Sequence, residues 1–220
     1  MKKLLVCAVV AVFSIGSLSA QDVRFGVKGG LNLANLGGDF GIYDGYYGVD
    51  DPEMKVGFHV GGVAEVKFSE KFAVQPELLF SNQGYKSKYD FAGAKADYKV
   101  NLNYINLPIM VKFFPIDGLS IEAGPQVGFL IAAKDELNDY EISIDPEDPD
   151  NVDTSDKYKS IDFGMNIGAG YELPSGLFFA ARYNIGISKV DDVDDGLTGI
   201  FSGSLSRKNR VFQLSAGFMF

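Results

Sequence analysis

Nine titratable side chains sit at alternate positions within short apolar runs, and that spacing is the feature of the chain best placed to do chemistry. Lys28, His59, Glu65, Lys67, Glu77, Glu122, Asp162, Glu172 and Arg182 each fall on the face opposite the apolar residues of their own run, with Lys112 a candidate tenth. Charges gathered on one face and enclosed must be paired or hydrated, because an unpaired buried charge is very costly. The simpler chemistry is a salt-bridge network that fills an interior. The sharper one is a proton or ion path through the same groups. Glu77, Glu122 and Asp162 are carboxylates that could be paired for acid or base work, yet they are more simply partners for Arg182 and the lysines.

Other chemistries find little support. His59 is the sole histidine, a poor basis for a metal site, so a hydrogen-bonded interior residue is expected there and no cofactor or metal. No Ser/His/Asp spacing resembles a nucleophile elbow. The one cysteine, Cys7, lies in the first twenty residues, which leaves the rest of the chain without thiol catalysis or disulfides. Residues 145–156 (DPEDPDNVDTSD) and 191–196 (DDVDDG) offer oxygen ligands for Ca²⁺, but the calcium-loop spacing would need Asp or Asn where Val193 stands. Tyr43, Tyr46 and Tyr47 could form an adhesive surface patch.

The start of the chain bears on where this chemistry would operate. Lys2 and Lys3 precede an apolar stretch over 4–15 and the small-residue run Gly16, Ser17, Leu18, Ser19, Ala20. That is the pattern of a secretory signal peptide, with cleavage expected after Ala20, although Leu18 is larger than usual at its position. The alternative, a retained anchor, is short of the ~20 residues a spanning helix needs. Removing Lys2 and Lys3 from 20 basic residues leaves 18 against 29 acidic ones, a net charge of about −11. An acidic exported chain is a poor nucleic-acid binder.

The elements that must position the charged face are strands. Eight runs alternate with a period of two, over 25–36, 56–68, 72–83, 100–114, 119–133, 160–173, 177–189 and 210–220. Tight turns at 69–71, 115–118 and 174–176 alternate with long connections at 37–55, 84–99, 134–157 and 190–209, the third of which carries ten acidic residues. In the fourth run the phase of Val100 and Leu102 differs from that of Ile105, Leu107, Ile109, Val111 and Phe113. A bulge near Tyr104 would explain this, with Pro108 part of the same irregularity; equally, the end of the strand could stand clear of the membrane.

The apolar and non-apolar faces differ in a way that selects the surrounding medium. A soluble lipid-binding barrel would turn its apolar face inward around a ligand cavity. Here the other face is mostly Gly, Ser, Asn and Gln with scattered charge, suited to filling a narrow interior. Aromatics stand at the short-turn ends, at Phe68, Phe72, Phe113, Tyr171 and Phe220, where a membrane barrel carries an interfacial girdle. The expected fold is therefore all-β, an eight-stranded antiparallel up-and-down transmembrane β-barrel over 21–220. Its last strand should close the ring between residues 25–36 and 177–189.

The segments FGVKGGLNLANL, YINLPIMVKFFP (104–115), EAGPQVGFL (122–130) and the terminal AGFMF resemble those of Bacteroidota outer-membrane β-barrel proteins of the porin-family or PorT-like type, over essentially the whole mature chain. The resemblance implies an outer-membrane location, contact with outer-membrane lipid, and Phe218 and Phe220 as a signal to the barrel-assembly machinery. It implies little about activity. A monomeric, non-enzymatic structural or surface-interaction protein is expected, with long loops open to an extracellular ligand. A small porin or transporter and a secretion-system-associated barrel are the alternatives.

Overall fold

The computed structural model describes residues 22–39, 53–91, 94–138, 152–191 and 206–220. The expected signal peptide, the three loop tyrosines and most of both acidic segments lie outside them. The described strands are β1 (Asp22–Asp39), β2 (Glu53–Ser69), β3 (Phe72–Phe91), β4 (Ala94–Ile116), β5 (Leu119–Asn138), β6 (Val152–Asp153), β7 (Ile161–Glu172), β8 (Leu177–Gly186) and β9 (Ser206–Met219). Their order is β4-β3-β2-β1-β9-β8-β7-β5, and a β4–β5 pairing closes the ring. Eight antiparallel strands thus form a barrel without a free edge, while β6 adds two residues against Lys134 and Asp135.

Closure falls where the terminal alternation places it. β9 pairs with β1 from Gly26↔Met219 to Asp39↔Ser206, and with β8 from Leu177↔Phe218 to Ile185↔Arg210. At the tight turn between β4 and β5, Gly118 adopts φ 80, a region open to glycine at little steric cost.

Burial is inverted relative to a water-soluble protein. Phe25, Leu31, Phe58 and Ile167 are each more than half exposed on the outer wall, whereas Lys28, Glu65 and Arg182 are at most 2% exposed inside. Bilayer contact makes that arrangement favourable, because lipid replaces water against the apolar wall and the closed ladder satisfies the backbone. The lipocalin-like arrangement is excluded, since the apolar face does not line a cavity. Aromatics collect at the short-turn end, where the Phe68 and Phe72 rings stack at 6.2 Å and Phe72 meets Phe113 at 5.2 Å.

Three features depart from the sequence reading. The connection expected over 84–99 is largely ladder, paired from Gly84↔Asn101 to Phe91↔Ala94. The phase of β4 does not change: Val100, Leu102, Tyr104, Asn106, Pro108 and Met110 are all buried on the inner face. Val100 and Leu102 are apolar because the long-connection end of the interior is filled by an apolar cluster that also holds Leu36, Tyr85, Tyr104, Ala133, Tyr158 and Val190. The extra residue lies on the neighbouring strand, where Tyr104 pairs with Leu130 and Asn103 with Ala132, which leaves Ile131 as the bulge in β5. Pro108 stands in register with Gln126 and takes no part in it.

Candidate functional site

Eight charged residues, Lys28, Glu77, Glu122 and Arg182 in one group and Arg24, Glu65, Lys112 and Glu172 in the other, form two clusters stacked along the barrel axis. In the first, Glu77 on β3 lies between Lys28 on β1 and Arg182 on β8. Lys28 Nζ donates to Glu77 Oε2 at 2.8 Å, and Arg182 Nη1 and Nη2 donate to the two Glu77 oxygens at 2.8 and 2.7 Å. Arg182 also donates from Nε and Nη2 to Glu122 on β5. Two cations face two carboxylates, so the set is neutral. β8 and β3 are four places apart in a ring of eight, so the Arg182 side chain crosses the lumen from wall to wall.

The second cluster occupies the short-turn mouth. Glu65 accepts from Arg24 Nη2 at 2.5 Å and from Lys112 Nζ at 2.7 Å, and Arg24 also holds Glu172. Lys67 stands 4.0 Å from Glu65 with its side chain 35% exposed, its ammonium 5.0 Å from the centre of the Phe114 ring. It is a rim residue rather than a lumen one. Gln75 joins the two clusters, accepting from Lys112 at 3.0 Å and donating to Glu77 at 2.6 Å.

His59 belongs to a separate, uncharged layer. Its Nδ1 is 2.8 Å from Asn32 Oδ1 and its Nε2 is 2.9 Å from Ser215 Oγ. Asn32 donates its amide to the carbonyls of Phe58 and Asn82 and to Ser81, which fixes Oδ1 as the acceptor and puts a proton on His59 Nδ1. Replacing His59 by Leu would leave Ser215 Oγ buried without that partner. The expected cost is about 1–3 kcal/mol, read as a lower urea midpoint of the barrel refolded in vesicles.

Asp162 does not join the cationic clusters. It accepts from Ser188 Oγ at 2.6 Å and Asn209 Nδ2 at 2.8 Å, and no lysine or arginine among the described residues reaches it. Its place as a partner of Arg182 is therefore corrected: Arg182 is turned toward Glu77 and Glu122, away from the end where Asp162 sits. Among the described residues no three His, Asp or Glu side chains converge as a metal set.

Sequence reasoning missed Arg24, which precedes the first counted run. Continuing the alternation of Gly26 and Lys28 two residues back would have put it on the inner face. It also missed the pair that ties the long-connection end together, in which Arg207 Nε donates to Asp191 at 2.9 Å and Nη1 to the Tyr85 hydroxyl at 2.8 Å. Burial disfavours the Arg207 charge, but the hydrogen bonds and charge of Asp191 outweigh it and hold the guanidinium above the ordinary arginine value.

A closed barrel with an apolar outer wall, an aromatic girdle and a charge-filled interior defines a membrane-spanning β-barrel. The chain belongs to the outer membrane protein beta-barrel domain family, whose model matches residues 19–192. It is an outer-membrane β-barrel protein.

Among solved structures, Neisserial surface protein A is similar at a TM-score of 0.50 and 13% identity, over 90% of this chain and 99% of that one. Ail of Yersinia pestis, solved with the heparin analogue sucrose octasulfate, is similar at 0.48 and 12%, over 90% and 99%. OprG from Pseudomonas aeruginosa follows at 0.43 and 13%, over 91% and 97%. At such identities the likeness to the Neisserial protein speaks for the fold alone. No curated protein matches the chain in sequence.

Proposed function

We propose that this chain is a structural and surface-presenting barrel of the outer membrane whose lumen passes no solute. The observation that carries the reading is the Arg182 side chain spanning from β8 to Glu77 on the opposite strand, with Lys28 and Glu122 closing around it. The apolar cluster of Leu102, Tyr104, Tyr158 and Val190 lies beyond it toward the long-connection end. Eight strands leave an interior just wide enough for side chains to fill, and an ion entering would meet a neutralised charge lattice and then an apolar layer.

Single-channel recording in planar bilayers tests this. The wild-type barrel gives no ion-selective steps. A steady selective current that disappears on substitution of Arg182 or Glu122 overturns the reading in favour of a small porin or transporter.

The same reading extends to export and assembly. The signal peptide is cleaved after Ala20, the short turns face the periplasm and the long connections face outward, as is general for such barrels. The protein is a non-enzymatic monomer of the Bacteroidota porin-family or PorT-like type, and its loops take an extracellular ligand. The exposed Phe220, its ring 5.4 Å from Phe218, and Phe218 serve the barrel-assembly machinery as a terminal signal.

A further inference from the structure

We propose that the sector of the outer wall formed by β9, β8 and β7 binds the phosphate groups of outer-leaflet lipid through Lys159, Lys189, Lys208 and Arg210. The inference rests on the outer-membrane, loops-outward placement above.

Three backbones meet side by side at the long-connection end of this sector. Lys159 N donates to Val190 O at 2.8 Å and Val190 N donates to Arg207 O at 2.9 Å. Inward from this row point Tyr158 and Val190, both buried in the apolar cluster. Outward, the wall changes character in one step on each strand. Two residues beyond Ile161 stands Lys159, two beyond Ile187 stands Lys189, and beyond Phe212 come Arg210 and then Lys208. Lys189 and Arg210 are exposed, and Lys159 and Lys208 are half-buried.

The rest of the rim is different. On β3 and β4 the corresponding outward residues are Asn82, Asn103, Asn101 and Lys86; Asn82 Nδ2 bonds Asn103 Oδ1 at 2.7 Å, Asn101 bonds Glu136 at 2.8 Å, and Lys86 stands in register with Glu53 on β2. Lys99 on that side is held by Glu136 at 2.7 Å, and the exposed Lys134 of β5 stands in register with Asp153. Asp191, the described acid beside Lys189, is buried and engaged by Arg207. A chain with 29 acidic and 20 basic residues thus concentrates four cations in one arc of its lipid boundary.

That arc continues directly from the apolar wall, so its immediate neighbours are headgroups of the same lipids whose tails cover Ile161, Ile187 and Phe212. Lysine and arginine lay their stems on apolar surface and lift their charge to the interface, and anionic phosphate is the headgroup chemistry that answers them.

The test uses the mature protein refolded in phosphatidylcholine vesicles that contain either bisphosphorylated lipid A or the same lipid dephosphorylated. Heat-modifiable gel mobility reports folding, and the lipid A retained after mild detergent extraction is weighed by native mass spectrometry. Wild-type protein should retain the bisphosphorylated form at least tenfold over the dephosphorylated one. The combined Lys159→Gln, Lys189→Gln, Lys208→Gln and Arg210→Gln variant should lose at least tenfold of that retention. Lys71→Gln, at an exposed turn of the opposite end, should lose none. Equal retention of the two lipids by inserted wild-type protein overturns the inference whatever the variants do, as does undiminished retention by a folded quadruple variant. Failure of the wild type to insert at all sinks the membrane placement together with it.

Discussion

Replacing Arg182 by Met should lower the stability of the barrel by about 3–5 kcal/mol, the usual cost of removing one partner from a buried ion pair. The two carboxylates it serves would not suffer equally. Glu77 would keep Lys28 and Gln75, while Glu122, 2% exposed, would lose the cation that both of its oxygens accept from. The uncompensated group is therefore Glu122. Adding Glu122→Gln to Arg182→Met returns the cluster to one cation and one carboxylate, and the double variant should recover more than half of the loss. Urea titration of the vesicle-embedded protein, followed by heat-modifiable gel mobility, measures both. A double variant no more stable than the single one would show that packing of the arginine stem, rather than charge balance, is what the network supplies.

The same residues show why some of this architecture is legible in the sequence and some is not. Within the bilayer the outer wall must be apolar and the inner one need not be, so every strand carries a two-residue period through its spanning part. Counted together, the eight runs and the closed ring they imply indicate both neighbours of β9. Beyond the bilayer that constraint lapses. The outer ends of β3 and β4 stay paired, yet their outward positions are Asn82, Lys86, Lys99 and Asn101, and the strand reads as loop. Inside the barrel the constraint is only that space be filled and charge matched. Filling with Val100 and Leu102 looks, in sequence, like a change of phase, and an extra residue in β5 at Ile131 is indistinguishable from one in β4 at Tyr104. Pairing across the lumen is set by the ring order and stagger of the strands. Hence the inner face of Glu77, Glu122 and Arg182 was readable from their runs, but their contact was not, nor was the turning of Asp162 toward Ser188 and Asn209.

Stagger and coiling are also what a second large effect would probe. Gly124 lies on the inner face of β5, and a Cβ built there would stand 1.9 Å from the carbonyl oxygen of Ile109 and 2.9 Å from the Cα of Met110 on β4. Both obstacles are backbone, so no rotamer change can relieve them; the strands themselves must part. Two prolines flank this point, Pro108 in register with Gln126 and Pro125 opposite Met165, and neither can donate to the ladder. Gly124→Ala should therefore cost about 3 kcal/mol, the upper part of the range for forcing atoms into a packed site. Gly62 makes the contrast, because it faces outward and its nearest obstacle is the Gly26 carbonyl at 3.9 Å. There an added methyl meets lipid and reduces the freedom of the unfolded chain, so Gly62→Ala should be neutral or stabilising by up to about 1 kcal/mol. Measured side by side by urea titration in vesicles, the two glycines should separate by several kcal/mol. If Gly124→Ala unfolds at the wild-type midpoint, the close approach of β4 and β5 is not required for the barrel to close.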